Sequence, residues 1–375
     1  MNNARPALPG LYIHVPFCQT KCPYCDFFSV TSPELISAYL KGLEKEAPFY
    51  GDLFPAFDSL YLGGGTPSLL DGAQLSTLVT SLRRHFDFAI DTEFTLEANP
   101  DDLSPEKLAL YKDLGVNRLS VGVQSFDDQE LAFLGRRHTA RQAEQALNWA
   151  RAAGLTNLGL DLIYGLPGQS AAGWRQNLKK ALEFSPEHLS CYQLTFELGT
   201  TLGARQAQGL IKPLGEEAQR RLFLLTSRFL EERGYLHYEI SNFARRKACC
   251  SRHNRKYWQH TPYLGLGPGA HSFRDGRRWW NHRSLSRYCQ ALAAGALPLA
   301  GSETLTPAQL RLESLYLGLR TTNGVALDLI RLQPHCQEIV SALQAAGLVK
   351  VRQDRLLATR QGFLMADRLP VWLLA

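Results

Sequence analysis

Short apolar stretches alternate with helix-forming stretches along the first half of the chain. Six of the apolar stretches have the length of a strand, and several are apolar on both faces, which is typical of strands buried in a parallel sheet. They lie at 11–15, 59–64, 93–98, 118–123, 157–165 and 188–194. Between them, Ser104 and Pro105 predict a helix start, and Gly115 stands where a left-handed residue would end that helix.

This alternation predicts an α/β fold built on a parallel sheet. Eight strand–helix units would close a full barrel, and the pattern supplies six. An open, partial barrel and a doubly wound sheet both remain compatible with it. In either fold we expect the functional side chains at the carboxyl ends of the strands.

The pattern changes after about residue 300. Thr306 and Pro307 predict a helix start, a second helix is expected near 337–346, and the segment 348–359 predicts a hairpin that turns at Gln353 and Asp354. Two helices and a hairpin resemble a winged-helix module, although a structural cap on the larger domain is the simpler interpretation. We therefore predict a main domain at 1–240, an extension at 241–300 and a small C-terminal domain at 301–375.

The composition indicates a folded protein. Of 375 residues, 45% are hydrophobic and 20% are charged, which is enough for a large core. The N-terminus lacks the features of a signal peptide, and no apolar run is long enough to span a bilayer. We expect a cytoplasmic location, with which peripheral contact at the inner membrane surface is compatible.

The net charge is +6, and much of it is local. Between Arg245 and Lys256 there are six Lys or Arg residues and no acidic residue. Such a segment can meet an anionic ligand, a phosphate backbone or only water.

Three of the eight cysteines, Cys18, Cys22 and Cys25, fall within eight residues after the first predicted strand. A disulfide would leave one thiol over. A zinc ion would need a fourth ligand such as a histidine. A four-iron cluster on three cysteines would leave one iron open to another ligand, as a catalytic metal site requires.

The spacing C-x-x-x-C-x-x-C resembles the signature of the radical S-adenosylmethionine (SAM) superfamily. The motifs "YIHVPFC", "GGGTP" (63–67), "EANP" (97–100), "GVQSF" (122–126) and "DLIYGLP" (161–167) follow in the order seen in its coproporphyrinogen dehydrogenase-like branch. The resemblance implies a partial (β/α)6 radical SAM barrel with a small C-terminal helical, winged-helix-like domain. It also implies a [4Fe-4S] cluster on the three cysteines and S-adenosyl-L-methionine as cofactor.

The same resemblance assigns the residues that contact S-adenosyl-L-methionine. They are Tyr12, Gly64, Gly65, Thr66, Glu97, Gln124, Arg136 and Asp161. The chemistry of several agrees with the assignment, since glycine lets a backbone edge approach a ligand closely and Glu97 can accept hydrogen bonds from ribose hydroxyls. Gln124 and Asp161 end apolar strands, where an unpaired buried polar group costs about 1–3 kcal/mol. Arg137, the next residue, is an alternative candidate for the cofactor contact assigned to Arg136.

Two features separate branches of the family. Coproporphyrinogen dehydrogenases carry a further cysteine two residues after the third ligand and a longer N-terminus, whereas here Phe27 takes that position and 17 residues precede Cys18. Both departures are similar to the HemW-type haem chaperone group. Tyr24 and Phe27 flank Cys25, and they would either shield a cluster from water or simply pack in the core.

The extension carries a second motif of that group. His253, Asn254, Tyr257 and Trp258 match H-N-x-x-Y-W, so the resemblance makes His253 the expected axial ligand of haem, with the thiols of Cys249 and Cys250 as rivals. The neighbouring cations would pair with the haem propionates.

Our leading hypothesis is a carrier that binds haem as cargo and delivers it to respiratory, membrane-bound haem proteins, for which a ligand-dependent homodimer would be suitable. The alternative is an oxygen-independent coproporphyrinogen III dehydrogenase, so whether the protein is an enzyme stays open and no catalytic residue is assigned. A third hypothesis, nucleic-acid binding through 245–258 and 274–283, ranks below both, and we expect no nucleic-acid partner.

Overall fold

Six parallel strands form the centre of the molecule in the computed structural model, which describes residues 7–331 and 335–374. They are β1 (Gly10–Val15), β2 (Ala56–Gly64), β3 (Asp87–Ala98), β4 (Arg118–Gln124), β5 (Leu158–Tyr164) and β6 (His188–Gln193). Each pairs with the next in parallel register. The six predicted strands are confirmed, and β2 and β3 begin earlier than their apolar stretches, because polar residues such as Asp58 and Asp91 interrupt the apolar pattern in their first halves.

Helices connect these strands. They are α1 (Ile36–Glu46), α2 (Gly72–His85), α3 (Pro105–Asp113), α4 (Asp128–Phe133), α5 (Ala140–Ala152), α6 (Ala171–Glu183), α7 (Thr201–Ala207) and α8 (Glu216–Glu231). Local sequence explains their starts: the Asp71 side chain accepts from the Gln74 backbone N–H in a capping box, and Ser104 caps α3 with Pro105 as its first residue. The apolar face of α2 packs into the core.

The sheet continues beyond the six strands on both sides. Next to β6 lie β7 (Leu236–His237) and β8 (Asn242–Ala244), and on the β1 side lie β9 (Tyr263–Leu266), β10 (His271–Arg274), β11 (Arg277–Asn281) and β12 (Leu299–Thr304). The order is β12-β11-β10-β9-β1-β2-β3-β4-β5-β6-β8-β7, and within the described residues the sheet does not close into a barrel. The predicted boundary at 300 falls within β12, and the predicted domain division stays a prediction.

Two helices belong to the extension, α9 (Arg252–Trp258) and α10 (Leu285–Ala293). A buried carboxylate joins this region to the parallel strands and helices. Glu46 of α1 accepts hydrogen bonds from the Tyr288 hydroxyl, the Asn281 amide and the Gly267 backbone N–H at 2.6 to 2.9 Å. Burial raises the pKa of Glu46 to about 7. The extension is therefore tied to the helix that follows the cysteine loop.

The C-terminal segment forms a separate small sheet with helices around it. Its elements are α11 (Pro307–Gly318), β13 (Val325–Ala326), α12 (Cys336–Ala345), β14 (Val349–Arg352), β15 (Arg355–Ala358), α13 (Arg360–Phe363) and α14 (Leu369–Leu374). The sheet has the order β13-β15-β14. The helix start at Thr306, the second helix and the hairpin turn at Gln353 and Asp354 are confirmed. Within the described ranges, no helix combines the length and apolar character needed to cross a membrane.

Candidate functional site

The three clustered cysteines lie on the loop between β1 and α1, at the carboxyl end of the parallel strands. The backbone N–H of Cys18 donates to the Val30 carbonyl, and the N–H of Cys25 donates to the Cys22 carbonyl, at 3.0 and 3.1 Å. All three thiols are free and half-buried. Burial raises the pKa of the Cys18 and Cys25 thiols, so a cationic metal centre is the kind of partner that would hold them as thiolates.

The thiols do not converge on one point. Among the described residues, no three His, Cys, Asp or Glu side chains are placed to ligate a common ion. A four-iron cluster has a different requirement, since each thiolate binds its own iron. The chemistry of three adjacent thiols therefore fits such a cluster.

A cavity of about 500 Å³ opens beside the thiols. Its lining includes the three cysteines together with Gly64, Gly65, Thr66, Glu97, Gln124, Arg136 and Asp161. The ends of β1 to β6 meet here, as a parallel sheet requires. Seven of the eight residues that the resemblance assigned to S-adenosyl-L-methionine are thus brought together, and their contacts with that cofactor stay predictions.

The glycine turn after β2 presents backbone to this cavity. Gly64 has φ = 106°, and a Cβ there would meet the His14 ring at 2.5 Å. A Cβ on Gly65 would meet the carbonyl oxygens of Val15 and Phe17 at 2.7 Å. Only glycine fits both positions, because neither a left-handed φ nor a close backbone crossing accommodates a side chain. The backbone edge is therefore open to a ligand.

Glu97 ends β3 inside the cavity. Its carboxylate accepts from the Tyr61 hydroxyl at 2.6 Å and from the Gly64 backbone N–H at 3.1 Å. Burial raises the pKa of Glu97 to about 7. A carboxylate in this position is prepared to accept further hydrogen bonds from a neutral, hydroxyl-bearing ligand.

The neighbouring strands β4 and β5 add two further polar side chains to the cavity, Gln124 and Asp161. Asp161 of β5 accepts from the Ser120 hydroxyl at 3.1 Å, and burial raises the pKa of this carboxyl. Gln124 has φ = 65°, a left-handed conformation that costs a non-glycine residue energy and that is concentrated at functional sites. Both observations agree with a ligand-facing role.

Arg136 and Lys21 are the cations that line this cavity, and Arg136 is the one that contacts a cysteine. Its guanidinium lies 3.5 Å from the Cys22 sulfur and donates to the Gly122 carbonyl at 3.0 Å. Its buried Nε has no hydrogen-bond partner within the described residues. The neighbouring Arg137 instead pairs with Asp101 and Asp102. Of the two arginines, Arg136 is therefore the one available for an anionic group such as a carboxylate.

Two predicted residues lie elsewhere. Tyr12 bonds to the His14 ring at 3.0 Å and faces a separate cavity of about 320 Å³, so its predicted cofactor contact is untested. Phe27 is 67% exposed at the mouth of the cysteine cavity. Phe27 is therefore not packed in the core, and its shielding of a cluster stays a prediction, whereas Tyr24 packs against apolar neighbours.

His253 is the second residue of α9 and is 1% exposed. Its Nδ1 is 3.0 Å from the Ser59 hydroxyl and its Nε2 is 2.8 Å from the Tyr257 hydroxyl. Burial lowers the pKa of His253 to about 3, so the ring is neutral. Haem ligation would require the ring to give up one of these partners, and that role stays a prediction.

Sequence reasoning missed several residues that support the site. They are Tyr61, Asn99, Ser120 and Tyr192. Asn99 accepts from Arg136 and donates to Thr66, and its place in the "EANP" motif was a usable signal. Tyr61 and Ser120 lie within strands, where no local pattern distinguishes a ligand-facing hydroxyl from one in the core.

Comparisons with known proteins agree with this geometry. The radical SAM superfamily profile matches residues 12–181, and the HemN C-terminal domain profile matches residues 305–365. The chain is 38% identical to the heme chaperone HemW of Mycobacterium tuberculosis, covering 96% of this chain and 93% of that protein. It is 34% identical to the heme chaperone HemW of Bacillus subtilis, covering 96% and 97%.

A solved structure resembles the whole fold. The Escherichia coli coproporphyrinogen III oxidase HemN, described as a radical SAM enzyme, superimposes with a TM-score of 0.83 at 25% identity, covering 99% of this chain and 91% of that chain. Identity above 30% over nearly complete lengths is found with the HemW proteins. The chain therefore belongs to the HemW family of the radical SAM superfamily.

Proposed function

We propose that this protein binds haem and transfers it to recipient haem proteins. The observation that carries the proposal is near-full-length similarity to proteins named heme chaperone. Phe27, in the position of the additional cysteine of the dehydrogenases, supports the same choice. We further propose that the recipients are respiratory and membrane-bound, and that the carrier is cytoplasmic and acts as a homodimer.

The resident cofactors follow from the superfamily. Cys18, Cys22 and Cys25 would hold a [4Fe-4S] cluster, and the adjacent cavity would hold S-adenosyl-L-methionine. When bound, the cluster supplies an electron and an open iron position. Within the chain, Glu97 would accept hydrogen bonds from the ribose hydroxyls of the cofactor, and Arg136 would pair with its carboxylate. The glycine turn lets the backbone approach the methionine end.

The basic segment gives little support to nucleic-acid binding. Lys256 is buried against the Asp58 carboxylate at 2.6 Å, and Arg252 pairs with Asp91 at 3.1 Å. Trp279 is buried and donates to the Tyr50 hydroxyl. Arg252 and Lys256 are therefore engaged by carboxylates, and the exposed cations of this segment include Arg245, Arg246 and Lys247.

The second candidate is the dehydrogenase, and the similarity to the Escherichia coli HemN structure favours it. Anaerobically reconstituted protein would be titrated with haem, mixed with apomyoglobin as acceptor, and assayed with coproporphyrinogen III. We expect a Soret band, haem transfer and no protoporphyrinogen. Protoporphyrinogen formation without haem binding would contradict the proposal and establish the second candidate.

A further inference from the structure

A cavity of about 1020 Å³ lies between the extension and the C-terminal domain. One wall is formed by the segment 247–260, which includes α9, and the other by 318–326 together with β14 and the start of β15. Among the described residues, its lining shares no residue with the cavity beside the cysteines. It is therefore a second site, separate from the one that the cofactors would occupy.

The lining of this second cavity is cationic. Five of its residues are Lys or Arg, namely Lys247, Arg255, Lys350, Arg352 and Arg355. All of them except Arg255 are exposed. The carboxylate in the lining, Glu231, is paired with Arg360. The cavity should therefore attract an anionic ligand.

These five cations lack acidic partners in their own chain. Within the part of the chain that the structure describes, none of them forms an ion pair. Arg352 and Arg355 even lie directly opposite each other in the hairpin of β14 and β15. Like charges in that arrangement are destabilising, so an external anion would relieve their repulsion.

The strand β14 offers a free edge beside the cavity. The small sheet has the order β13-β15-β14, so within the described ranges β14 pairs with β15 alone. An edge strand presents unpaired backbone N–H and C=O groups, to which an extended peptide can add as a further strand. Lys350 and Arg352 are two residues apart on β14 and both line the cavity, so they share one face of the sheet.

The combination of a free edge and a cationic face favours an acidic polypeptide. A strand added to β14 would place every second side chain on the face of Lys350 and Arg352. Carboxylates at those positions would pair with the two cations, and opposite charges on neighbouring strands stabilise a sheet. The arginine fork also matches a carboxylate in bidentate geometry.

Other occupants agree less well with these observations. A nucleic-acid strand has no peptide groups to complete the edge of the sheet, and α12, which packs beside β14, contains no Lys or Arg. A second copy of this chain would bring a net charge of +6 to a surface that is already cationic.

We propose that β14 binds an acidic, extended segment of a partner protein by strand addition, with alternate carboxylates on Lys350 and Arg352. If the protein transfers haem, as proposed above, the partner is a recipient, and the segment holds it beside the carrier. Arg355 supports the surface, because its guanidinium donates to the Asn323 and Gly324 carbonyls at 2.7 and 2.8 Å.

The first test measures binding of a labelled peptide of about ten residues, in which Glu alternates with Thr, to the full chain by fluorescence anisotropy. Replacing every Glu by Gln should weaken binding at least about tenfold, because the charge pairs are lost. Hydrogen exchange of the segment 349–352 should slow when the Glu peptide is added, because strand addition pairs the free edge. Equal binding of the Glu and Gln peptides, or unchanged exchange of 349–352 in the complex, would overturn the proposal.

The second test reverses the charge of the surface. Lys350→Glu with Arg352→Glu should weaken binding of the Glu peptide at least about tenfold and should instead bind a peptide with Lys in place of Glu, which shows that the variant surface is folded. Lys41→Glu with Lys45→Glu makes the same charge change on exposed α1 positions and should leave binding of the Glu peptide unchanged. A single-stranded RNA that binds more tightly than the Glu peptide, and is lost in the first variant, would reassign the surface to nucleic acid.

A third measurement separates this inference from the proposed function. Apomyoglobin that carries the Glu peptide at its C-terminus should accept haem from the wild-type protein faster than apomyoglobin with the Gln peptide, and this advantage should disappear in Lys350→Glu with Arg352→Glu. Equal transfer rates in the wild type would show that the segment does not belong to a recipient. Peptide binding in a protein that fails to bind haem would reject the proposed function and leave the docking surface standing.

Discussion

Partly buried carboxylates at strand ends are the residues that best define the cavity beside the cysteines. Glu97 and Asp161 are both partly buried, and this burial raises the pKa of each. A globular protein retains such groups at an energetic cost unless a partner satisfies them. Glu97 has two donors and retains capacity for more, so its ionisation state should control how well the cavity accepts hydroxyl groups.

Affinity for S-adenosyl-L-methionine should therefore depend on pH through Glu97. The pKa of about 7 means that the carboxylate is protonated below neutral pH and ionised above it. Because the ionised form accepts the stronger hydrogen bonds, affinity should increase as pH rises through 7. In Glu97→Gln we expect affinity to fall about tenfold at pH 8 and to lose this pH dependence. Isothermal titration of anaerobic protein from pH 6 to 8 measures both, and an identical pH profile in wild type and variant would contradict the role.

At the scale of elements, the turn that follows β2 sets the shape of the site. Gly65 donates its backbone N–H to the Val15 carbonyl at 2.8 Å, which joins the end of β2 to the start of the cysteine loop. A Cβ on Gly65 would lie 2.7 Å from the carbonyl oxygens of Val15 and Phe17, so this position has no space for a side chain. The turn therefore positions the loop as well as exposing backbone to a ligand.

Gly65→Ala should destabilise the fold and the cysteine loop together. The new methyl group would lie 2.7 Å from two carbonyl oxygens, and overpacking of this kind costs about 1–3 kcal/mol. We expect a lower melting temperature and a lower iron content after reconstitution. Gly173→Ala is the matched control, because its Cβ would meet the Ser170 hydroxyl at an ordinary 3.4 Å on an exposed helix. Equal stability of the two variants would show that the turn tolerates a side chain.

The position of helix α9 depends on the hydrogen bonds of His253. The ring is buried and accepts or donates at both nitrogens, and the His253 backbone N–H donates to the Glu93 carboxylate at 3.0 Å. Its lowered pKa means that the folded state keeps the ring neutral. The unfolded chain binds a proton on this residue near pH 6.5, so the stability that the neutral ring supports is present above that pH and is lost as pH falls toward 3.

His253→Gln should accordingly lower the free energy of unfolding by about 1–3 kcal/mol at pH 7.5, through lost hydrogen bonds. The difference from wild type should shrink as pH falls from 6.5 toward 4. Urea unfolding at several pH values checks this. A variant as stable as wild type at neutral pH would show that His253 is not a structural anchor and would favour its direct role as haem ligand.

At the scale of the whole molecule, the two motifs lie at opposite ends of the same strands. His253 contacts Ser59 and packs near Gly10, at the start of β1 and β2, whereas Cys18 follows the end of β1. The six residues of β1 span about 20 Å. The cysteines are therefore distant from His253. The Tyr61 side chain lies between His253 and the cavity beside the cysteines, with its ring centroid 5.1 Å from that of His253 and its hydroxyl 2.6 Å from Glu97.

Haem affinity should therefore be nearly independent of the cysteines. A variant with Cys18, Cys22 and Cys25 all changed to Ala should bind haem within about twofold to threefold of wild type, a difference of less than 1 kcal/mol. Soret titration of both proteins gives the comparison. Loss of haem binding in the variant would place the cargo at the cysteine loop instead.

The predictability of the structure follows from how local each signal is. The strands β1 to β6 were predictable because each is a short apolar run with turn residues around it, and the helix at Thr306 because its capping box is a local pattern. The strands of the extension were missed because β9, β10 and β11 have only four or five residues, although β10 and β11 form a local hairpin whose turn at Asp275 and Gly276 was a usable signal. Most of the cavity was predictable from motifs, since parallel strands bring their ends together.

The burial of His253 was not predictable from the sequence. Its partners Ser59 and Glu93 are more than 150 positions away along the chain, and only the packing of α9 against β2 brings them together. Residue types that bind haem are thus visible in the sequence, whereas their availability depends on the fold.

The most direct test of the account is metal analysis combined with electron paramagnetic resonance of anaerobically reconstituted, reduced protein. We expect about four iron and four sulfide per chain, lost when Cys18, Cys22 and Cys25 are replaced, and a spectrum that changes on addition of S-adenosyl-L-methionine because one iron is open. Protein that contains zinc in place of iron, or a spectrum that S-adenosyl-L-methionine leaves unchanged, would contradict it.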